Sequence, residues 1–498
     1  MTAQQADEET PLLQPEGHQR KPAHTPLPWA QLCILLVLQL AEPLTSQVIS
    51  PFAPDLIRNI GITHGDETKV GYYVGLMQSI FFATQAMTVL HWSRISDHVG
   101  RKPVIMTGLC GLSISMYCFG MSRTFWGLVL SRSLNGALNG NIGVLKSMMA
   151  EITDSTNIAQ AYSYLPIAWS TGSTLGPMIG GSLSHPAERF PSLFGNSEFL
   201  EKYPYFLPCA IPATFSAIAF FVTWIFLKET VSSPKSIRRI IGMRRNKGNV
   251  TLQAVAGSEG PKTTPMTTPT KPDAKPLPLK ALLIPRVLIA AGNYASLAIV
   301  DIALRSVLPV FYSTPIHLGG LGLPPQTIGM ILSSYGILNG LLQIFFFSKL
   351  IGLLGAKKIY LIGISSALPV FAMFPVVNAL ARLYGLDNIV WIAVALQVTI
   401  SMAINFSYGS VFMYITASSP NKASLGSVNG LAQMGVSIMR TVGPAIANSL
   451  FSLSIDQQHH YLDGNLVYWA MGGLTCVALW VGTLLPAKAW MDDAAVES

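Results

Sequence analysis

Charge is what this chain of 498 residues lacks: Asp, Glu, Lys and Arg make up only 11% of it, against roughly 25% in a soluble domain. Hydrophobic residues make up 50% and the mean hydropathy is +0.44, which excludes a wholly water-bathed fold and makes the lipid bilayer a partner. Cysteine is scarce too. The five cysteines, at positions 33, 110, 118, 209 and 476, sit mostly within apolar stretches and form no Cys-x-x-Cys pair. They read as small buried hydrophobes, which excludes a disulfide framework and a zinc knuckle; no metal site is expected. No phosphate-cradling P-loop is present, so ATP is not the direct energy source and no cofactor is expected. The histidines, among them His91, His98 and the pair His459-His460, show no His-Glu-x-x-His spacing. With no nucleophile–base set either, the chain does not read as an enzyme.

What is present is a series of long apolar runs. A spanning helix needs roughly 20 apolar residues. Twelve runs meet that ruler, near 29–53, 70–92, 104–121, 124–147, 160–184, 205–228, 283–312, 326–349, 359–380, 388–417, 424–452 and 464–486. The expected fold class is therefore an all-α membrane protein with twelve transmembrane helices. The first run follows a polar tail and is long enough to span, so it reads as an uncleaved first helix. Between the sixth and seventh runs the chain turns basic, with Lys235, Arg238, Arg239, Arg244, Arg245 and Lys247, and then becomes rich in Thr, Pro and Lys over 261–278. Such a stretch cannot bury enough apolar area to fold and reads as a flexible linker. Further bases, Arg94, Arg101, Lys102, Lys349, Lys357 and Lys358, fall in alternate loops. The net charge of +8 thus reflects the positive-inside rule, which places these loops, the linker and both tails in the cytoplasm, and does not signal nucleic acid. The expected organisation is a tail over 1–28, a six-helix bundle over 29–228, a linker over 229–282, a second six-helix bundle over 283–486 and a tail over 487–498.

The halves repeat. The hairpin Trp92-Ser-Arg-Ile-Ser-Asp97-His-Val-Gly100-Arg101-Lys102-Pro103 returns as Phe347-Ser-Lys-Leu-Ile-Gly352-Leu-Leu-Gly355-Ala-Lys-Lys358. Leu175-Gly176-Pro177 matches Val442-Gly443-Pro444, and Pro51-Phe52 resembles Pro309-Val310-Phe311. One set of features placed alike in two halves of a membrane protein points to a duplicated transporter.

Intramembrane ions are functional candidates by default, because placing one at the bilayer centre costs about 2.5–3.5 kcal/mol on insertion scales. Glu42 lies beside Pro43 in the first run, Arg132 in the fourth, Asp301 and Arg305 four apart in the seventh, and Arg440 in the eleventh. At 1.5 Å per residue Glu42 lies roughly 20 Å from the start of its helix and Arg132 roughly 12 Å from the outer start of its own, so a pair between them is allowed. Asp301 and Arg305 share one helical face and read first as a structural pair. Arg440 has no obvious partner and could meet Asp301 or an anionic substrate. Gln78, Gln85, Tyr294, Tyr335, Asn339, Asn405 and Tyr408 could line a cavity or serve as interhelical glue.

Six plus six helices with a basic linker is the plan of the major facilitator superfamily, and the motifs resemble that family's. Residues 92–103 resemble its loop G-x-x-x-D-x-x-G-R-K/R, with Ser93 at the first glycine and Asp97, Gly100, Arg101 and Lys102 in place. An acid at that helix end can pair with bases beside it and with a neighbouring helix end, a charge latch that holds the cytoplasmic side shut. Gly352 stands at the position of Asp97 in the second half, so a weaker latch is expected there. Gly172-x-x-x-Gly176-Pro177-x-x-Gly180-Gly181 looks like the motif of proton-coupled drug antiporters; small residues four apart permit close helix packing that would seal the outer side. Leu128-x-x-x-Arg132-x-x-x-Gly136 approximates the family's helix-four motif, whose arginine is tied to proton coupling. Residues 92–103 and 139–151 are most similar to the zinc-induced-facilitator-like transporters of fungi and plants, although the plant members' cysteine motif and histidine-rich loop are not evident.

The resemblance implies a monomeric, proton-coupled efflux antiporter that moves a small organic molecule, a drug or secondary metabolite, by alternating access. A metal-chelate or organic-acid transporter of vacuolar homeostasis is the alternative, and a non-transporting sensor on the same fold is a third reading. Glu8-Glu9-Thr10-Pro11-Leu12-Leu13 fits an acidic dileucine sorting signal, which leaves a plasma or a vacuolar membrane open.

Overall fold

A computed structural model describes residues 25–154, 157, 161, 164–230, 279–420, 424–456, 461–487 and 490. The dileucine segment, residues 231–278 of the linker, the end of the C-terminal tail and the side chain of Asp97 lie outside the described residues. Among those residues every regular element is a helix.

Twelve segments follow the expected order. The first is α1 (Trp29–Gln47). It stops short of residue 53 because Pro51 supplies no N–H and its ring would strike the carbonyl of Gln47, four residues back. The chain then forms a short helix, α2 (Ala53–Ile60), with a proline in its first turn and left-handed Gly61 at its end. The second and third segments are α3 (Val70–Val99) and α4 (Arg101–Gly120). The fourth is divided into α5 (Phe125–Leu138) and α6 (Asn141–Ile152). Its break has a local cause: Gly140 lies against the Trp92 side chain with no room for a Cβ, and the indole Nε1 donates to the carbonyl of Ala137 at 2.7 Å. The fifth and sixth are α7 (Leu165–Leu183) and α8 (Phe206–Phe226).

In the second half, α9 (Pro285–Ser313) and α10 (Pro325–Leu354) are the seventh and eighth segments. The ninth comprises α11 (Ala356–Ser365) and α12 (Ala367–Tyr384), and the tenth α13 (Asn388–Ser401) and α14 (Ala403–Ser418). The last two are α15 (Leu425–Ser454) and α16 (Leu466–Thr483). Nine described helical stretches are long and apolar enough on their own to cross a membrane. The fourth, fifth and eleventh segments are not among them: the fourth is divided, and α7 and α15 trade apolar side chains for Gly, Ser and Thr, which serve contact between helices.

The cysteines depart from expectation. Cys209 is buried, but Cys33, Cys110, Cys118 and Cys476 are exposed on the helix bundle. In lipid an outward thiol meets hydrocarbon, so an apolar neighbourhood in sequence does not imply burial in protein. All five thiols are free.

The face of the molecule that carries Arg101, Lys102, Lys357 and Lys358 is the basic face; the opposite one, with α2 and the ends of α7 and α15, is the far face. Near the basic face the first half has a core of its own, built from Leu32, Leu35, Ile105, Leu109 and Met148. Toward the far face a second core joins both halves, with Phe52, Val74 and Met77 in one cluster with Leu304, Phe311 and Phe451. The halves are thus fused at the far face and separately packed at the basic face.

Two helix pairs form the far seam. In one, α7 lies on α10: a Cβ on Gly181 would meet the Pro325 carbonyl oxygen at 2.5 Å, and one on Gly329 would meet that of Pro177 at 2.5 Å. In the other, α3 lies on α15, where a Cβ on Gly71 or Gly75 would fall 2.9 Å from Asn448 atoms. The second pair also bonds across the seam: Tyr72 N donates to Ser452 Oγ at 3.1 Å and Ala445 N to Ser79 Oγ at 3.0 Å. Gln78, Ser306 and Asn448 complete a bonded chain, with Ser306 donating to Gln78 Oε1 at 2.7 Å.

Candidate functional site

The mid-membrane charges fall into two groups. In the second half Arg305 Nε donates to Asp301 Oδ1 at 2.8 Å, one helical turn away. Tyr408 donates to the other carboxylate oxygen at 2.9 Å, and Arg305 Nη2 donates to Asn405 Oδ1 at 3.0 Å and Tyr335 Oη at 3.3 Å. Asn405 in turn donates to Tyr335 at 2.6 Å. The i,i+4 spacing puts the pair on one face of α9, while α10 and α14 supply the phenols and amide. The network is closed within the second half.

The other group crosses between halves. Glu42 is buried on α1, and Gln85 of α3 approaches its Oε1 with Nε2 at 3.5 Å. Asn139, at the break between α5 and α6, lies near the same carboxyl group, and its buried amide makes no hydrogen bond among the described residues. Arg440 of α15 and Lys146 of α6 both lie within electrostatic reach of Glu42 and of each other. Arg440 also lies near Tyr294 and Tyr408. Tyr294 donates to Gln433 at 3.4 Å and packs edge-on against Tyr408 at 6.1 Å and Phe412 at 5.1 Å. An acid, two bases and an aromatic cluster are therefore within electrostatic reach of one another where the halves meet.

The expected pair of Glu42 with Arg132 does not form. The Arg132 guanidinium sits over the Phe81 ring, 4.8 Å from its centroid, and among the described residues its Nε and Nη1 have no hydrogen-bond partner. Depth separates them: Asn139, near Glu42, follows Arg132 by seven residues, about 10 Å along the helix axis. Lys146 was not anticipated. The signal was available, since a lysine within an apolar run is as conspicuous as an arginine.

At the basic face Arg101 pairs with Glu151 of α6, Nη2 to Oε1 at 2.9 Å, and donates to Ser96 Oγ at 2.6 Å. Glu229 accepts from the backbone N–H groups of Arg101 at 2.9 Å and Lys102 at 3.0 Å, an acid at a helix N-terminus where the exposed amides favour it. Glu151 also accepts from Thr230. Bonds to Arg101 and Thr230 outweigh the burial that would push the Glu151 carboxyl up, and hold it below its ordinary range. Glu151 and Glu229, not anticipated, each close an apolar run, and these described bonds stay within the first half. The turn itself repeats: Gly100 and Gly355 both adopt positive φ, 118° and 80°. Two residues on, Lys102 Nζ donates to the Trp224 carbonyl at 2.8 Å and Lys357 Nζ to that of Thr483 at 2.9 Å.

On α7 the glycines divide by direction. Gly172 faces Pro43, Gly176 faces Gln47 and Gly180 faces the Val48 carbonyl, all in the first half, whereas Gly181 faces α10 across the seam. Pro177, inside α7, presents its carbonyl to Gly329. In the second half Gly443 faces Ile302 of α9, so the eleventh segment meets the seventh as the fifth meets the first.

The sequence profile described as Major Facilitator Superfamily matches residues 35–444. The multidrug transporter mfsB of Aspergillus fumigatus, itself described as a major facilitator, is 27% identical, over 94% of this chain and 84% of its own. Protein ZINC INDUCED FACILITATOR 1 of Arabidopsis thaliana is 26% identical, over 86% of this chain and 85% of its own. Among solved structures, a D-xylose-proton symporter superposes with a TM-score of 0.65 at 13% identity, covering 92% of this chain and 98% of its own.

Proposed function

The chain belongs to the major facilitator superfamily and is a secondary transporter of small molecules, and from that premise we propose that it is a proton-coupled efflux antiporter for a small organic molecule, working by alternating access. The observation that carries the proposal is that Glu42, buried on α1 of the first half, lies within electrostatic reach of Arg440 on α15 of the second. One carboxyl group can be neutralised by a proton or by a cationic group on a substrate, but not by both. That exclusivity couples the two fluxes. With the basic face parted, substrate enters from the side that the positive-inside rule assigns to the cytoplasm and displaces the proton. With the far seam open, a proton returns and the substrate leaves. The name of the A. fumigatus relative supports efflux. The close α7–α10 contact supports a seal against proton leak. One chain suffices for the cycle, and we place it as a monomer in a plasma or vacuolar membrane.

The test uses full-length protein in proteoliposomes with an imposed pH gradient and a panel of drug-like cations and secondary metabolites. Uphill accumulation is expected to collapse when a protonophore is added at constant ATP. Glu42→Gln is expected to abolish uphill transport and keep downhill exchange, because the neutral amide mimics the protonated acid. Undiminished uphill transport in the presence of protonophore would refute the proposal.

A further inference from the structure

A groove of about 390 Å³ opens beside the far seam, between α3 and α15. It is lined by Lys69, Tyr72, Tyr73 and Leu76 from the first half and by Ala445 and Ser449 from the second. Spacings of three, four and seven residues put the first four on one face, from Lys69 at the start of α3 to Leu76 about 10 Å deeper. The rim is polar. Lys69 Nζ pairs with Asp66 Oδ2 at 3.0 Å, yet the lysine side chain stays 55% exposed. The hydroxyls of Tyr72, Tyr73 and Ser449 make no hydrogen bond among the described residues. Ser449 differs in this from Ser437 and Ser454 of the same helix, which donate to the carbonyl four residues back at 3.0 and 2.7 Å. The edge of Phe125 holds Tyr73, with ring centroids 4.9 Å apart. The floor is apolar: Leu76 is exposed, as are Val442 and Ile446, each three residues before a lining residue of α15.

Exposed apolar side chains on two spanning segments place this groove on the lipid-facing surface. A phospholipid matches it from rim to floor, with its head at Lys69 and an acyl chain along Leu76. The rim carries both signs. The Lys69 ammonium can donate to a phosphate, while the Asp66 carboxylate suits an ammonium. An ethanolamine head answers both charges. A glycerol head leaves the acid without a cation, and the quaternary nitrogen of choline has no N–H to donate. The three hydroxyls can serve the phosphate and ester oxygens. One wall of the groove belongs to each half, so the lipid makes its full set of contacts only while the far seam is closed, and its binding favours that arrangement. We propose that this groove is a phospholipid site, filled by one phosphatidylethanolamine of the far leaflet, which clamps the far seam shut. The proposal depends neither on the transported substrate nor on the coupled ion.

The test is native mass spectrometry of purified full-length protein titrated with dioleoyl phosphatidylethanolamine, phosphatidylcholine and phosphatidylglycerol, which share their acyl chains. One phosphatidylethanolamine is expected to stay bound, at least about tenfold tighter than either of the others, the scale of one charge-assisted hydrogen bond. Lys69→Gln should weaken it by about tenfold, and Lys69→Arg should restore it to within about threefold, which separates charge from folding. Ser449→Phe, which fills the groove from α15, should remove the bound lipid. The clamp is read separately, by labelling of a Gln78→Cys reporter from the far side. In liposomes of phosphatidylcholine mixed with phosphatidylethanolamine the labelling should be about tenfold slower than in phosphatidylcholine alone, and Lys69→Gln should abolish the difference. Phosphatidylglycerol or phosphatidylcholine bound as tightly as phosphatidylethanolamine, binding unchanged by Lys69→Gln, a protein dimer in place of a lipid-bound monomer, or a labelling rate indifferent to the lipid would each overturn the proposal.

Discussion

A residue's chemistry is readable from its identity, but its partner depends on direction. Glu42, Asp301 and Arg440 stand out in sequence because ions are rare in apolar runs. Which of them meet depends on rotation about each helix axis and on where helices break, and hydropathy encodes neither. Glu42 therefore lies within electrostatic reach of Arg440, and Arg132 instead sits over the Phe81 ring. Outside the membrane the far face has a pair of its own. His185 Nε2 lies 2.9 Å from Asp55 Oδ2, which Tyr205 also donates to at 2.8 Å; Glu188 approaches His185 Nδ1 at 3.7 Å, and Arg58 stands on the same helix as Asp55. The hydrogen bond to Asp55, outweighing burial, holds the imidazole above its ordinary 6.5. Burial alone would raise Asp55, but the bonds from His185 and Tyr205 hold it below its ordinary 3.8. The His185 contribution is complete below 6.5 and lost as pH rises through the raised value; the Asp55 contribution is complete above 3.8 and lost as pH falls through the depressed one. The tie is therefore strongest between those two values. Thermal unfolding of wild-type protein is expected to move down by roughly 1–2 °C from about pH 6 to about pH 9, and His185→Gln should remove that component. An unchanged slope in His185→Gln would show that the pair contributes nothing.

At the scale of helices the glycines of α7 separate packing from gating. An alanine at Gly181 places a methyl 2.5 Å from the Pro325 carbonyl and 2.9 Å from Gly329 Cα, between the halves. An alanine at Gly172 places one 2.6 Å from Pro43 Cγ, inside the first half. Overpacking costs about 1–3 kcal/mol in either place, yet the consequences differ. Gly181→Ala is expected to raise labelling of a Gln78→Cys reporter from the far side about tenfold, because the cost falls on the closed seam alone. Gly172→Ala is expected to lower thermal stability without raising the labelling rate. Equal labelling in both variants would remove Gly181 from the seal. Element boundaries show where sequence reasoning reaches its limit. Long apolar runs announce spanning helices, whereas the division of the fourth segment depends on Trp92, more than forty residues away, which fills the space a Cβ on Gly140 would need.

For the whole molecule, the fold was legible because a bilayer demands apolar runs and the duplication repeats its basic hairpin; Lys102 and Lys357 even make the same kind of bond in the two halves. The relation of the halves was not legible, since contacts between α3 and α15 or α7 and α10 join residues far apart in sequence. One side chain spans that relation at the rim. Arg58 of α2 donates to the Ser313 carbonyl at 2.9 Å and Oγ at 2.6 Å, with Glu67 as its ion-pair partner at 2.8 Å. Because the site is partly exposed, Arg58→Ala is expected to increase far-side labelling of Gln78→Cys by at most about tenfold. No increase would mean that α2 plays no part in closing the rim.

The far seam also limits the side chains it can accept. Where α7 meets α10 both partners are glycine, Gly181 and Gly329; where α3 meets α15 the glycines stand on α3 and Asn448 fills the space from α15. The two seams thus differ at one partner only: α7 carries glycine where α15 carries Asn448, while α10 and α3 both carry glycine. At Gly181, Gly329 and Gly75 the obstacle is a backbone carbonyl oxygen, which no substitution removes, so a side chain can be gained there only where the two helices move apart.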